Sequence, residues 1–400
     1  MDEIRTSAKL AVDWLINSRI HNISAANGET FGSFNNYYDL IKRACPFAHT
    51  EITGYGTELL IDLYEKTTNH KYLEDAKSAA KWITSMQYKG KDRNAFGSFH
   101  RSISLAKKQR SSIVYSFDAG ICIGALVELY RKTNDSVFLE AASESAEWLT
   151  SVMQNPEGSL KPLYDLRKGF STAEKWYLPR EFRTRFSWFE RSGCYHCKAV
   201  IGLLKLHSLT SDDRLENASR KLCEWTISQQ DSTGGFSAYS QSTSIFAHTH
   251  CYAVEGLIYA ARYLGSERFS LAAKNGVLWL LKVLERYGRI PDWLHGGEPA
   301  STVDSSSLAQ AIRVLSVFKD SERANLCYDK SALAILKHLL AMQCTSSGDQ
   351  HALGGFYLTE YNARLMKIKL PRVYSWPTMF ALQAFTFLDD EAIREPLDLW

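Results

Sequence analysis

The sequence has no uninterrupted apolar run that approaches the roughly 20 residues of a membrane-spanning helix. Its N-terminal segment, MDEIRTSAKLAVDWLINSR, carries charges throughout. A secretory signal peptide needs an apolar stretch and a small-residue cleavage site, and this segment has neither. We therefore predict no transmembrane segment, so that any association with a membrane would be peripheral.

Several common catalytic motifs are also missing. The chain contains no Walker loop, no G-x-G-x-x-G after a predicted strand and no G-x-S-x-G elbow. These absences leave nucleotide-driven and serine-hydrolase chemistry without support, and we predict that the protein uses no cofactor.

Cysteine and charge show no special pattern. The eight cysteines follow no disulfide-framework spacing and mostly fall inside apolar helical stretches. We interpret them as reduced thiols of a cytoplasmic protein. The formal charge of +3 is spread along the chain, so no nucleic-acid-binding face is predicted.

One unit recurs along the chain: an apolar helix, a short polar turn, an amphipathic helix and a glycine-aromatic loop. The amphipathic helices read YLEDAKSAAKWITSMQ, FLEAASESAEWLTSVMQ, RLENASRKLCEWTISQQ and KSALAILKHLLAMQ. In the first three a tryptophan precedes a glutamine by a turn or so: Trp82 and Gln87, Trp148 and Gln154, Trp225 and Gln229. A glycine with an aromatic or apolar neighbour follows each of the four.

The apolar helices, such as FDAGICIGALVELY and HCYAVEGLIYAARYL, are hydrophobic around most of their circumference. A helix of this kind is buried on all sides, whereas a helix with one apolar stripe faces solvent. We therefore predict an inner ring inside an outer ring. Small residues early in the apolar helices, including Gly54, Gly120 and Gly202, would let neighbours pack closely around an axis.

The number of helices predicts a closed ring. Inner helices begin near residues 51, 117, 194, 249, 304 and 376, and outer helices follow the first five. Residues 4–18, with Trp14, match the outer pattern and would supply the sixth outer helix. We predict an all-α (α/α)6 barrel, closed by the N-terminal helix, in a single domain over residues 1–400. The alternative is an open helical solenoid.

Polar residues concentrate where the inner helices start, which predicts one polar end on the barrel axis. Helix N-termini also favour bound anions. The candidates for catalysis are Glu51, Tyr55, Asp118, His248 and His250. The candidates for substrate binding are His49, Arg101, Trp188, Tyr195, His196, Tyr252, Trp293, Asp304 and Trp376.

Structural roles compete with these functional ones. Asp304 could be an N-cap, and Glu51 and Asp118 could only complement the helix dipole. Glu58 and Glu255 lie deeper along the inner helices, where a carboxylate is unfavourable without a partner. A single histidine here is more often a packing residue than a catalyst.

The loops add aromatic and basic side chains suited to a sugar. A sugar ring stacks its apolar face and hydrogen-bonds through its hydroxyls, while a guanidinium pairs with a uronate carboxylate or a phosphate. The loop aromatics are Trp176, Trp188, Phe236, Tyr239, Trp293 and Tyr357, and the loop arginines are Arg101, Arg110, Arg183 and Arg191.

Metal binding stays open at one cluster. Cys194-Tyr195-His196-Cys197 is similar to half of a zinc site, and His250 and Cys251 on the next inner helix could supply the rest. A second C-x-x-C is missing, so the prediction is that no metal is bound.

The repeats resemble those of known toroids. The segments AKWITSMQ followed by FGSF, AEWLTSVMQ, and CEWTISQQ followed by GGF are similar to the glutamine-aromatic repeats of terpenoid cyclases and prenyltransferases. The D-x-D-D motif of squalene-type cyclases is absent, its nearest counterpart being Val303-Asp304-Ser305-Ser306. This resemblance implies the fold and argues against terpene cyclisation.

A second resemblance is to the soluble toroid proteins of archaeal and bacterial glycan-assembly pathways. It rests on Thr50-Glu51-x-Thr53-Gly54-Tyr55, Phe117-Asp118-x-Gly120, Phe246-Ala247-His248-Thr249-x-x-Tyr252 and Ser375-Trp376. It implies a sugar isomerase or epimerase acting on nucleotide- or lipid-linked glycans. The wider (α/α)6 class includes N-acylglucosamine 2-epimerases with paired histidines, from whose spacing His248-Thr249-His250 departs, and unsaturated-uronyl hydrolases with paired carboxylates.

The leading functional prediction is a cofactor-independent epimerase or isomerase of a uronate or amino sugar in glycan or polysaccharide biosynthesis. Its substrate would be a sugar or glycan, possibly attached to a carrier. His248 and His250 would act on one face and Glu51 or Tyr55 on the other. The alternatives are a glycoside hydrolase or uronate lyase that uses Glu51 and Asp118, and a non-catalytic glycan-binding toroid.

Overall fold

The computed structural model describes residues 2–170, 188–321, 326–363 and 366–389. Within these ranges twelve α-helices are present. They are α1 (Asp2–Asn17), α2 (Thr50–Thr67), α3 (His70–Ser85), α4 (Ser116–Thr133), α5 (Ser136–Trp148), α6 (Ala199–Thr210), α7 (Asp213–Ile227), α8 (Ala247–Leu264), α9 (Glu267–Tyr287), α10 (Ser305–Ser321), α11 (Leu326–Leu340) and α12 (Ser375–Asp389). No helix among the described residues is both long and apolar enough to cross a membrane.

The even-numbered helices form the inner ring. Each packs on the next, and α12 contacts α2, so that the ring closes. Small residues permit the close approach: a Cβ added at Gly120 would lie 2.3 Å from the Cβ of Ala199, and one at Gly202 would lie 2.4 Å from the backbone oxygen of Gly120. The prediction that small residues serve packing is confirmed at this contact.

The odd-numbered helices form the outer ring, joined to inner helices by tight turns. An inner helix ends at a residue with left-handed backbone conformation, and the next residue caps the outer helix with its side chain. Thr68 precedes the cap Asn69 in this way, and Asn134 precedes the cap Asp135. Ser211 and Asp212 repeat the arrangement before α7.

A repeated glutamine contact joins neighbouring hairpins. The amide of Gln87 donates to the carbonyl of Gly97 in its own loop and to the carbonyl of Ala141 on the next outer helix. Gln154 and Gln230 make equivalent pairs of bonds. The third member is therefore Gln230, and the sequence prediction of Gln229 is wrong, since the Gln229 amide donates to Ser228.

The last such contact closes the ring. Gln343 donates to the carbonyl of Gly354, 3.0 Å away, and to the carbonyl of Ser7 on α1, 2.9 Å away. The Trp14 indole donates to the carbonyl of His351, and Arg5 pairs with Asp389 on α12 at 2.7 Å. The N-terminal helix thus occupies the sixth outer position, and the predicted closed barrel is confirmed over the open solenoid.

Short strands, which the sequence analysis did not predict, lie at one end of the barrel. Five inner helices follow directly on a strand. The strands are β1 (Tyr37–Asp39), β2 (Phe47–His49), β3 (Ser102–Ser104), β4 (Ile113–Tyr115), β5 (Leu163–Asp165), β6 (Ser244–Phe246), β7 (Trp293–His295), β8 (Glu298–Pro299), β9 (Thr302–Asp304), β10 (Phe356–Tyr357), β11 (Thr359–Ala363), β12 (Met366–Lys369) and β13 (Arg372–Tyr374).

All the strand pairs are antiparallel, as in β1 with β13 and in β2 with β3. The strand before each of these five inner helices pairs with a strand from another segment, which fixes the direction in which the helix begins.

The deep carboxylates are paired. Glu255 lies 2.5 Å from the Lys198 ammonium and 3.3 Å from the Arg313 guanidinium, and none of the three side chains is more than 1% exposed. Glu58 lies 3.4 Å from Lys205. The inner barrel is therefore polar along part of its axis, with its charges compensated. The single-domain organisation over residues 1–400 stays a prediction.

Candidate active site

A cavity of about 300 Å³ opens at the end of the barrel where the inner helices begin. Its wall repeats the same two positions around the ring: the last residue of a strand and a residue in the first turn of the following helix. The strand residues are His49, Tyr115, Phe246, Asp304 and Tyr374, and the helix residues are Glu51, Phe117, Asp118, His248, Ser306 and Trp376. The predicted polar end of the axis is thus an enclosed site.

Two carboxyl groups share one side of the cavity. Asp118 is 4% exposed and its Oδ2 has no hydrogen-bond partner among the described residues. Burial raises the pKa of Asp118 from 3.8 to about 7, although Arg101 opposes the rise. Enclosure and then repulsion by Asp118 raise the pKa of Glu51 well above 4.5. The pair therefore retains a proton at neutral pH.

Arg101 lies beside this pair and is held from several sides. Its Nε donates to the Nε2 of His49 at 3.0 Å, and its guanidinium lies 4.9 Å from the centre of the Tyr115 ring and 5.2 Å from that of Phe189. Burial and then Arg101 lower the pKa of His49 well below 6.5, so His49 is neutral. Its Nδ1 is 3.8 Å from the Glu51 carboxylate.

A second polar group stands across the ring on α8 and α10. The Nδ1 of His248 lies 3.0 Å from the hydroxyl of Ser306, which donates to Oδ1 of Asp304. Burial lowers the pKa of His248 to about 3 and raises that of Asp304 to about 7. Asp304 also accepts from the backbone of Ser306 and Ser307, so it caps α10 as well as lining the cavity.

Aromatic side chains form the remaining walls. Trp188, Trp293 and Trp376 all line the cavity. The Trp293 ring stacks on Phe246 with centroids 4.6 Å apart and planes at 9°, and Trp188 meets the edge of His248 at 5.9 Å. Rigid apolar walls around a few polar groups are typical of small-molecule sites.

Five predicted site residues do not line the cavity. Tyr55 and Tyr252 lie one turn deeper, where their hydroxyls meet at 3.1 Å. Tyr195 donates to the carbonyls of Phe189 and Arg191. His196 is buried beside Tyr195, with ring centroids 4.0 Å apart.

His250 is the fifth. Its Nδ1 accepts from the backbone of Phe236 and its Nε2 lies 3.0 Å from the carbonyl of Gly276. Both ring nitrogens are therefore occupied in packing α8 against α9, and His250 has no free nitrogen for a substrate.

Other loop residues that the sequence suggested for sugar binding also lie away from the cavity. Arg110 donates to a backbone carbonyl at Ser85, and Arg191 stacks on Tyr239 at 4.6 Å. Phe236 and Tyr357 are also absent from the cavity wall. Trp176 and Arg183 lie outside the described residues.

Several cavity residues escaped the sequence analysis. Asp292, Arg372 and Tyr361 line the wall from loops and strands between hairpins. Asp292 accepts hydrogen bonds from Thr302 and from the backbone of Trp293. Arg372 lies 3.1 Å from Asp39. No helical periodicity marks such positions, and only the nearness of Asp292 to Trp293 could have pointed to one of them.

The proposed half zinc site does not assemble. No group of three or more histidine, cysteine or acidic side chains in the described part of the chain is placed to hold a metal ion. Cys194 donates to the carbonyl of Thr249, and both nitrogens of His250 are used as described. Cys194, Cys197 and Cys251 are buried free thiols.

Fold and site together define a toroid with an axial cavity, and known structures share that fold. Cellobiose 2-epimerase from Bacillus thermoamylovorans B4167 is similar with a TM-score of 0.73 at 13% identity, over 96% of this chain and 98% of that chain. Unsaturated glucuronyl hydrolase from Bacillus sp. GL1 has a TM-score of 0.64 at 14% identity, over 97% of each chain. D-mannose isomerase has a TM-score of 0.67 at 10% identity, over 96% of this chain and 97% of that chain.

These likenesses confirm the (α/α)6 toroid fold. The family model described as glycosyl hydrolase family 76 matches residues 45–167, a segment that contains Glu51, Arg101 and Asp118. No curated protein matches the sequence significantly.

Proposed function

We propose that the chain is a carbohydrate-active enzyme that cleaves a glycosidic bond, with Glu51 and Asp118 as its acid and base. The observation that carries the proposal is the raised pKa of both carboxyl groups in one aromatic-walled cavity. Glycoside hydrolysis needs one carboxyl group that is protonated near neutral pH and a second that is ionised.

The two carboxyl groups divide these roles by environment. Because they interact, they titrate as a pair. Asp118, whose pKa burial raises to about 7, loses its proton first, and repulsion by Asp118 then keeps the proton on Glu51. Glu51, whose pKa is raised further, then protonates the leaving oxygen. Asp118 acts on the anomeric carbon, either directly or through a water molecule.

The rest of the cavity suits a sugar. Trp188 and Trp376, which are partly exposed, offer apolar faces for a pyranose ring, while Asp304 and His248 offer hydrogen-bond acceptors to its hydroxyls. Trp293 is stacked with Phe246 and His295 and supports the wall from behind. The match of residues 45–167 to a glycosyl hydrolase family model supports the same reading, because the acid and base both fall inside that segment.

The second candidate is the predicted epimerase or isomerase. It is favoured by the fold likeness to cellobiose 2-epimerase and by His248, which faces Glu51 across the ring of six inner helices. The two-histidine form of that mechanism loses support because His250 is occupied by Phe236 and Gly276. An imidazole with a pKa of about 3 is also a weak base for proton abstraction.

An oligosaccharide panel tests the first proposal. Purified protein should release new reducing ends from at least one glycan, and E51Q and D118N should each lower kcat/KM by about 10²–10⁴-fold. The matched control is D13N, at an exposed aspartate of α1, which should keep full activity. Release by the wild type that survives in both cavity variants would refute the assignment.

A deuterium experiment separates the candidates. The same glycans and their monosaccharides are incubated in heavy water with the protein. Exchange of a carbon-bound hydrogen without bond cleavage would favour the epimerase. Ligand binding with neither cleavage nor exchange would favour the non-catalytic toroid. The roles in glycan assembly, the carrier-linked substrate, the absence of a cofactor and the cytoplasmic location stay predictions.

A further inference from the structure

Three polar groups form a chain on the cavity wall opposite Glu51. Asp304 ends strand β9, Ser306 lies in the first turn of α10, and His248 lies in the first turn of α8. The Ser306 hydroxyl bonds to Asp304 Oδ1 and lies 3.0 Å from His248 Nδ1. All three side chains are at most 5% exposed, so water does not compete freely for these contacts.

The direction of the hydrogen bonds in this chain is fixed by Asp304. Its Oδ1 accepts from the backbone N–H of Ser306 at 2.9 Å and from that of Ser307 at 3.1 Å. An oxygen that accepts two N–H groups presents a lone pair to its third neighbour, so the Ser306 hydroxyl must donate to it. A serine hydroxyl has one proton and two lone pairs. The Ser306 oxygen therefore offers His248 a lone pair.

We infer that Asp304 and Ser306 are positioning residues that hold His248 as the tautomer protonated at Nδ1, so that Nε2 presents a lone pair to a substrate hydroxyl in the cavity. Only an Nδ1–H can complete the bond to the Ser306 oxygen. Gln310 lies beside His248 and acts against the lowering of its pKa by burial, but neither atom of the Gln310 amide reaches hydrogen-bond geometry with any described residue. His248 itself lines the cavity, so we assign Nε2 to the ligand.

A second histidine on the same helix is held in the opposite tautomer. The backbone N–H of Phe236 donates to His250 Nδ1 at 3.2 Å, and His250 Nε2 lies 3.0 Å from the carbonyl of Gly276. His250 must therefore carry its proton on Nε2. The two histidines lie two residues apart on α8, and His250 serves packing while His248 serves the cavity.

The inference deepens the proposed function and rests on it only for the nature of the ligand. A hydrogen-bond acceptor at His248 Nε2 lies across the cavity from the pair of Glu51 and Asp118, which retains one proton. A sugar hydroxyl that donates to Nε2 would fix the ring between the two walls. The site thereby selects ligands with a hydroxyl, and not an ether or an acceptor group, at that position.

Nitrogen NMR of the free protein tests the inference without any substrate. Protein labelled with ¹⁵N-histidine is recorded in long-range ¹H–¹⁵N spectra at neutral pH, where protonated and unprotonated ring nitrogens are clearly separated. Assignments come from H248Q and H250Q. We expect Nδ1–H for His248 and Nε2–H for His250. An Nε2–H tautomer at His248 in the wild type overturns the inference.

Two variants test the role of the serine. S306A removes the acceptor for Nδ1–H and should lower the tautomer ratio of His248 by about fivefold or more, while S306T, which keeps a hydroxyl, should preserve it. The His250 signals should not change in either variant, which reports an intact helix α8. An unaltered His248 ratio in S306A refutes the positioning role. Because no turnover is measured, this outcome is independent of whether glycoside cleavage is found.

Discussion

Replacing Asp118 by asparagine should make the protein more stable and less active. The pKa of Asp118 is raised from 3.8 to about 7, so the folded state holds this proton more tightly than the unfolded chain. Below about pH 4 the carboxyl group is neutral in the folded state and adds to stability. That contribution is lost as the pH rises to about 7, and above it the buried charge destabilises the fold.

The size of the effect follows from the shift. One pKa unit corresponds to about 1.4 kcal/mol, so the rise to about 7 places an upper limit near 4 kcal/mol on the destabilisation at pH 8. For 400 residues the unfolding entropy makes this roughly 2–5 °C in Tm. The asparagine is neutral and nearly the same shape, and it removes no protein hydrogen bond from Oδ2 among the described residues.

Thermal unfolding by calorimetry at pH 4 and at pH 8 measures the difference. D118N should raise Tm at pH 8 and leave it nearly unchanged at pH 4. D13N, at the exposed Asp13 that accepts from Asn17, should change Tm little at either pH. A D118N protein that is equally stable or less stable than the wild type at pH 8 would refute the claim that burial raises this pKa.

Three other substitutions probe the barrel. Q343A removes two bonds that close the ring and should destabilise the protein by roughly 1–3 kcal/mol in urea unfolding; faster proteolysis within α1 should accompany it. G120A would place a Cβ 2.3 Å from that of Ala199 and should destabilise the protein by about 1–3 kcal/mol; G120A/A199G should recover only part of this in the same assay, because the new Cβ would still lie 2.8 Å from the Cα of residue 199. K198M takes the nearest cation from Glu255 and should lower stability by roughly 3–5 kcal/mol; a neutral effect in calorimetry would argue that the pair is replaceable.

The barrel itself could be predicted from the sequence because its repeat leaves marks in every hairpin. Apolar helices alternate with striped ones, and the N-terminal segment with Trp14 fits the outer pattern. It was harder to predict which glutamine joins the third hairpin to the next one. Gln229 and Gln230 are adjacent and equally suited by type, and only the pairing of the loop, with Gln230 opposite Phe236, decides between them.

The sequence pointed to the first-turn residues that line the cavity. It also selected residues that lie too deep to reach the cavity, and it missed the cavity residues that come from loops. Glu51 and His248 lie in the first turn of their helices and reach the cavity, whereas Tyr55 and Tyr252 follow four residues later on the same face and are covered by the first turn. Tyr195 and His196 belong to a 3₁₀ segment, Cys194–Lys198, whose tighter turn defeats a count based on 3.6 residues. Loop residues such as Arg372 have no period to reveal them.

The bonds from Gln343 to α1 have a consequence for how the molecule unfolds. In a linear array of repeats the end units have one neighbour and fray first. Here the first outer helix has a neighbour on each side, so no hairpin is an end. Loss of structure must therefore begin by parting two interfaces at once, and hydrogen exchange in α1 should be about as slow as in α5.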